Sequence, residues 1–132
     1  MTELGSDPRY QPTLESPLRM LALGAAEPAW YQADHADRTE RIVPALIRCF
    51  SIWEEWGATC LATFDDDLLM VGTPRTRGQS FYLLYEVPGL EMASAMINLF
   101  RVPLDGVRLD TYFRFEAMLG RSFFPVENPE RR

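Results

Sequence analysis

The stretch Phe81–Glu86 (FYLLYE) decides the fold, together with its counterpart Leu18–Leu23 (LRMLAL). Strand side chains point alternately to the two faces of a sheet. Both stretches place apolar residues on both faces, so the sheet that holds them is covered on both sides. A third stretch, Val107–Ala117 (VRLDTYFRFEA), behaves differently. Val107, Leu109, Thr111, Phe113 and Phe115 fall on one side and Arg108, Asp110, Tyr112, Arg114 and Glu116 on the other. That spacing predicts one continuous strand with an apolar and an ionic face.

Outward from these strands, Pro17 opens the first strand and Gly24-Ala25-Ala26 closes it. A helical pattern follows, in which Ile42, Leu46, Cys49/Phe50 and Trp53 recur at helical spacing and Gly57 is a natural stop. Asp37 and Glu40 resemble a capping pair, and Pro44 predicts a kink or a break. Ala58–Phe64 and Leu68–Val71 read as a hairpin with Asp65-Asp66-Asp67 at its tip. A second helix starts at Pro88-Gly89, with Ala93, Met96/Ile97 and Phe100 on its inner stripe, and Pro103 and Asp105-Gly106 end it. The order is β-α-β-β-α-β, the ferredoxin-like arrangement: an α+β sandwich with a four-stranded antiparallel sheet. It puts strands one and three, the two doubly apolar ones, in the centre. Two helices cover one sheet face only, and a bare apolar face exceeds what monomers expose. A homodimer packed sheet to sheet, forming an α/β barrel, is therefore expected.

At 132 residues and 47% hydrophobic, the chain has the size of one domain with a substantial core. Residues 1–16 read as a flexible arm, 17–125 as the domain and 126–132 as a polar tail. A net charge of −6 and a pI near 4.8 exclude nucleic acid as an expected partner. No apolar run is long enough to span a bilayer, and the start MTELGSDPRY has no signal-peptide pattern. Cys49 and Cys60 read as reduced thiols, so a cytoplasmic protein with no membrane contact is expected.

The element order resembles the dimeric α/β-barrel superfamily, which includes cofactor-free aromatic monooxygenases, muconolactone isomerases and small polyketide-tailoring enzymes. The stretches FDDDLLMVG (64–72), YEVPGLE (85–91), NLFR (98–101) and YFRFEAMLGR (112–121) are similar to a small protein of bacterial indole-3-acetate degradation clusters. The resemblance implies an aromatic-processing context. Haem-degrading members of the superfamily use a histidine on the second helix; positions 90–101 hold none, which points away from that branch.

The ionic side of the last strand is the leading candidate site. Arg114 can hold a carboxylate or enolate oxygen, Tyr112 can donate a hydrogen bond or proton, and Glu116 can act as a base. The same pattern also describes a solvated edge with weak ion pairs. His35, the one histidine, is a second candidate base or proton shuttle, its alternative being a solvated loop residue. No metal is expected, because no second histidine or nearby cysteine accompanies it. The acidic triplet lacks the alternation of a calcium loop. The phase of Cys49 and Cys60 favours core thiols over nucleophiles. Arg75 and Arg77, between Gly72 and Gly78, read as a solvent loop or as a lid that meets an anionic substrate. Trp53, Phe81, Tyr82 and Tyr85 divide between core, dimer contact and the wall of a substrate pocket. No phosphate cradle or dinucleotide fingerprint is present, and no cofactor is expected. The sequence leads to a small cofactor-independent enzyme acting on an aromatic or polyketide-like metabolite by proton transfer, as isomerase, cyclase or monooxygenase. The rival is a non-catalytic dimer that binds a hydrophobic metabolite or assists a larger enzyme.

Overall fold

In the computed structural model, which describes residues 18–65 and 81–121, strand β1 (Leu18–Ala26) leads into three short helical pieces. These are α1 (Pro28–Gln32), α2 (His35–Asp37) and a π-helical turn (Arg38–Ile42), which runs directly into α3 (Val43–Glu55). Strands β2 (Thr59–Asp65) and β3 (Phe81–Val87) come next, then α4 (Leu90–Asn98). A small hairpin, β4 (Pro103–Leu104) and β5 (Val107–Arg108), precedes the helical turn α5 (Leu109–Tyr112) and the last strand β6 (Phe113–Gly120). The four long strands form one antiparallel sheet in the order β2-β3-β1-β6. The two doubly apolar strands are the central pair, as their composition requires.

The core lies between the sheet and the long helices. Leu18, Met20 and Ala22 of β1 and Leu83, Tyr85 and Val87 of β3 meet Ile42, Ala45, Cys49 and Trp53 of the first helical layer and Ala93 and Met96 of α4. Trp53 is its centre: fully buried, it contacts Phe50, Tyr85, Phe100 and Phe115, and its indole N–H donates to the Met96 carbonyl at 3.0 Å. Burying a side chain of this size contributes on the order of 3 kcal/mol, and the hydrogen bond keeps the polar N–H from offsetting it.

Helix ends follow local chemistry. After α3, Gly57 takes φ +104°, the Gly57 N–H donates to Glu54 and the Ala58 N–H to Trp53. This double closure is the Schellman stop. At the front the cap is Asp34, whose carboxylate accepts from the Asp37 N–H at 2.7 Å, not the Asp37/Glu40 pair. Pro44 does not break the helix. It sits in the first turn of α3, just after the π-helical turn whose last bond joins the Val43 N–H to the Arg38 carbonyl. The helix is locally widened just before the residue that has no N–H to give.

The segment Val107–Ala117 is not one strand. Val107 and Arg108 close the hairpin, whose tip Asp105-Gly106 has positive φ at both residues. Residues 109–112 then coil as α5. There the Asp110 N–H donates to the Phe100 carbonyl at 2.9 Å, and the Glu27 N–H to the Tyr112 carbonyl at 2.8 Å. A turn of four residues leaves odd–even parity unchanged, so the alternation runs through it unbroken. β2 extends through Asp65; the rest of the expected hairpin, residues 1–17, the Arg75/Arg77 loop and the tail lie outside the described residues. No helix among the described residues is long and apolar enough to cross a membrane.

Candidate functional site

Of the four aromatics that divide between core, dimer contact and pocket wall in the sequence, three pack in or against the core. Trp53 and Tyr85 are buried and packed edge-on to each other, with rings 5.2 Å apart. Phe81 turns toward the helices and meets Phe113 edge-on at 6.0 Å. Helical and strand phase alone do not separate a pocket wall from a packed core, because both demand the same apolar residue. Burial raises the Cys49 thiol to about 12 and also raises the Tyr85 phenol, with the neighbouring Cys60 thiol second among its causes. Cys49 is buried and Cys60 half-buried against the core, the placement their phase predicts.

Tyr82 alone of the four looks away from the helices, onto the opposite face of the sheet. The ladder registers set that face out in rows. One row runs Glu116, Leu23, Tyr82, Phe64, and the next Met118, Leu21, Leu84, Ala62. The Tyr82 and Phe64 rings stack at 5.0 Å. Arg114, in register with Ala25, lies 3.7 Å from Glu116 at one end, and Arg19 lies 4.0 Å from Glu86 at the other. The face is thus an apolar centre held between two ion pairs. Phe64 and Met118 are half exposed on it.

The expected set His35, Tyr112, Arg114 and Glu116 is divided. Arg114 and Glu116 stay together on this face. Tyr112 sits in α5, where its hydroxyl accepts from Arg41 Nη2 at 3.2 Å, on the helix side of the sheet. Arg108 binds Asp110 at 2.8 Å outside the long sheet. His35 is exposed; its carbonyl accepts from the Thr39 hydroxyl, and its ring has no polar partner among the described residues. The separation is the consequence of α5, which rotates Tyr112 out of the strand.

The architecture has counterparts among solved structures. A candidate chlorite dismutase, TA0507, superposes with a TM-score of 0.53 at 21% identity, over 86% of this chain and 45% of that one. The RPA0582 protein from Rhodopseudomonas palustris, described as of unknown function, gives 0.53 at 18% identity over 92% of this chain and 95% of that one. Its methylated form matches over 83% and 84%. This chain has a ferredoxin-like fold. It spans under half the length of TA0507, and at these identities the likeness is one of fold. No protein-family model and no curated protein matches the chain.

Beside the ferredoxin-like sheet, the structure gathers a polar cluster around two arginines, Arg38 and Arg41, that the sequence does not single out. Arg41 Nε donates to Asp37 Oδ1 at 2.6 Å while its Nη2 holds Tyr112. Arg38 donates to the carbonyls of Trp30 and Tyr31, each at 2.9 Å, with its guanidinium 5.2 Å from the Trp30 ring centre. Trp30 in turn packs on Phe113 at 5.4 Å. The partners of Arg41 are Asp37 four residues before it and Tyr112 seventy-one residues after it. The first follows helical spacing; the second has no local signal. Among the described residues no group of three histidine, cysteine or acidic side chains is placed to hold a metal.

Proposed function

We propose that the chain works as a homodimer that holds a small aromatic or otherwise flat apolar metabolite against the open face of its ferredoxin-like sheet. The observation that carries this reading is the row Glu116, Leu23, Tyr82, Phe64, with Arg114 beside Glu116 at its end. A stacked aromatic pair offers a flat ligand a platform, and a guanidinium offers an oxyanion a partner. A second copy of the face is the simplest cover for the apolar centre. The chemistry such a site supplies without a cofactor is proton transfer: Glu116 takes or returns a proton while Arg114 holds the negative charge that develops. Isomerisation, cyclisation and oxygenation of an easily oxidised substrate all begin this way. The resemblance to aromatic- and polyketide-processing proteins supplies the substrate class, and the two free thiols suit a cytoplasmic setting.

The placement of Tyr112 in α5 and of His35 in α2, off the strand that carries that pair, favours a second reading, in which the dimer binds the metabolite for a larger enzyme and does not turn it over. Titration of aromatic acids into the wild type and Glu116→Gln separates the two. Catalysis requires that Glu116→Gln keep affinity within about threefold and lose turnover. Binding without turnover requires that neither form convert any ligand it holds. Failure of every flat apolar ligand to bind, or binding unaffected by Arg114→Met, rejects the site itself.

A further inference from the structure

We propose that Arg41 and Tyr112 form a second site, on the helix side of the sheet, that takes a singly charged carboxylate. The donors for it are already fixed. Asp37 Oδ1 holds Arg41 Nε at 2.6 Å, and the backbone of Asp37 is itself anchored to Asp34 at 2.7 Å. The Tyr112 carbonyl is tied to the Glu27 N–H at 2.8 Å. Fixing both groups before a ligand arrives removes part of the ordering cost of binding.

What remains on offer is a set of donors. The Tyr112 hydroxyl accepts from Arg41 Nη2, so its own proton is left to donate. Arg41 Nη1 has no partner among the described residues, and the side chain is 48% exposed. Asp37 occupies the Nε side of the guanidinium and Tyr112 takes one Nη2 hydrogen; Nη1 and the second Nη2 hydrogen are the fork that matches the two oxygens of a carboxylate. The phenol proton adds a third donor beside it. Arg41 also lies within the π-helical turn, a departure from α geometry that recurs at functional sites. Asp34, Asp37 and Glu40 outnumber Arg38 and Arg41 in this stretch, and the net negative charge opposes a dianion more than a monoanion. The chemistry therefore selects a carboxylate over a phosphate. This site is independent of the open face and of Arg114.

Amide and arginine side-chain NMR spectra of the full chain, titrated at pH 7 with benzoate, test the assignment. The expected result is saturable shifts at Asp37, Arg41 and Tyr112. Arg41→Met should weaken binding at least tenfold, Tyr112→Phe about threefold to tenfold, and Arg41→Lys should fail to restore the wild-type affinity because it lacks the fork. Arg114→Met should leave these shifts unchanged, and inorganic phosphate should bind at least tenfold more weakly than benzoate. The same spectra show whether each variant is folded. Absence of saturable shifts at these residues, equal affinity in Arg41→Met, or shifts confined to the Leu23 and Tyr82 face and lost in Arg114→Met would overturn the proposal. Phosphate binding as tight as benzoate overturns its carboxylate selectivity.

Discussion

The tip of the Phe81 ring stands directly over Gly24, its partner across the β1–β3 ladder: a Cβ at Gly24 would come within 2.1 Å of Cζ. The glycine serves here by having no side chain, since it leaves room for a ring that then reaches Phe113. Gly24→Ala forces the ring aside, and overpacking of this kind costs about 1–3 kcal/mol. Chemical denaturation should show that loss in the wild-type background and much less of it in Phe81→Ala, where the ring is gone. An equal penalty in both backgrounds would rule out the ring as the cause.

Trp53 reads in the sequence as either core or pocket wall, and its surroundings decide for core. Trp53→Phe removes one of the two N–H groups that donate to the Met96 carbonyl, the other being that of Leu99, and leaves space in a filled centre. The two losses together cost roughly 2–4 kcal/mol. Ligand affinity on the open face should stay within twofold. A stable variant with damaged binding would return Trp53 to the pocket.

How far the sequence is legible follows from what period two can record. The doubly apolar composition of Leu18–Leu23 and Phe81–Glu86 reports burial on both sides, which is a statement about the sheet's centre, and the register β2-β3-β1-β6 agrees. The inner stripe Ile42, Cys49, Trp53 and the stop at Gly57 are equally local signals. Val107–Ala117 shows the limit: an even-numbered helical turn is invisible to alternation, so the pattern puts Tyr112 on a face it does not share with Arg114 and Glu116. The Arg41–Tyr112 contact is hidden by sequence distance, being made across seventy-one residues. Phe81 and Tyr85 stay open between core, dimer contact and pocket wall for another reason. Neighbouring positions on a doubly apolar strand look alike, and only the helices' position tells which face is core. Tyr82, one residue from Phe81, falls on the other.

The buried phenol and thiol give the fold an alkaline weakness. Cys49 is raised from its ordinary value near 9 to about 12, and Tyr85 is raised as well, both chiefly by burial. A raised folded-state value means that the unfolded chain loses these protons first as pH climbs. Stability from each group is therefore whole below its unfolded value, near 9 for Cys49 and near 10 for Tyr85, and falls above it. Each group contributes a slope of about 1.4 kcal/mol per pH unit in that range. Denaturation midpoints measured from pH 8 to 11 should fall progressively, and Tyr85→Phe should flatten the fall above pH 10. A parallel decline in Tyr85→Phe would assign the loss to other groups.

Met118 tests the cover of the open face with little risk to the subunit, because it is 57% exposed and lies on an edge strand. It shares a row with Leu21, Leu84 and Ala62, so a sheet-to-sheet partner would bury it. Met118→Asp then places a carboxylate in an apolar interface without a counter-charge, at a cost of several kcal/mol. Each 1.4 kcal/mol is tenfold in dissociation constant, so the dimer should weaken by a hundredfold or more. Sedimentation velocity between 1 and 100 μM would read this directly, with circular dichroism to show that the subunit keeps its fold. A wild-type chain that sediments as a monomer throughout, or a Met118→Asp dimer as tight as wild type, removes the sheet-to-sheet homodimer and with it the enclosed ligand.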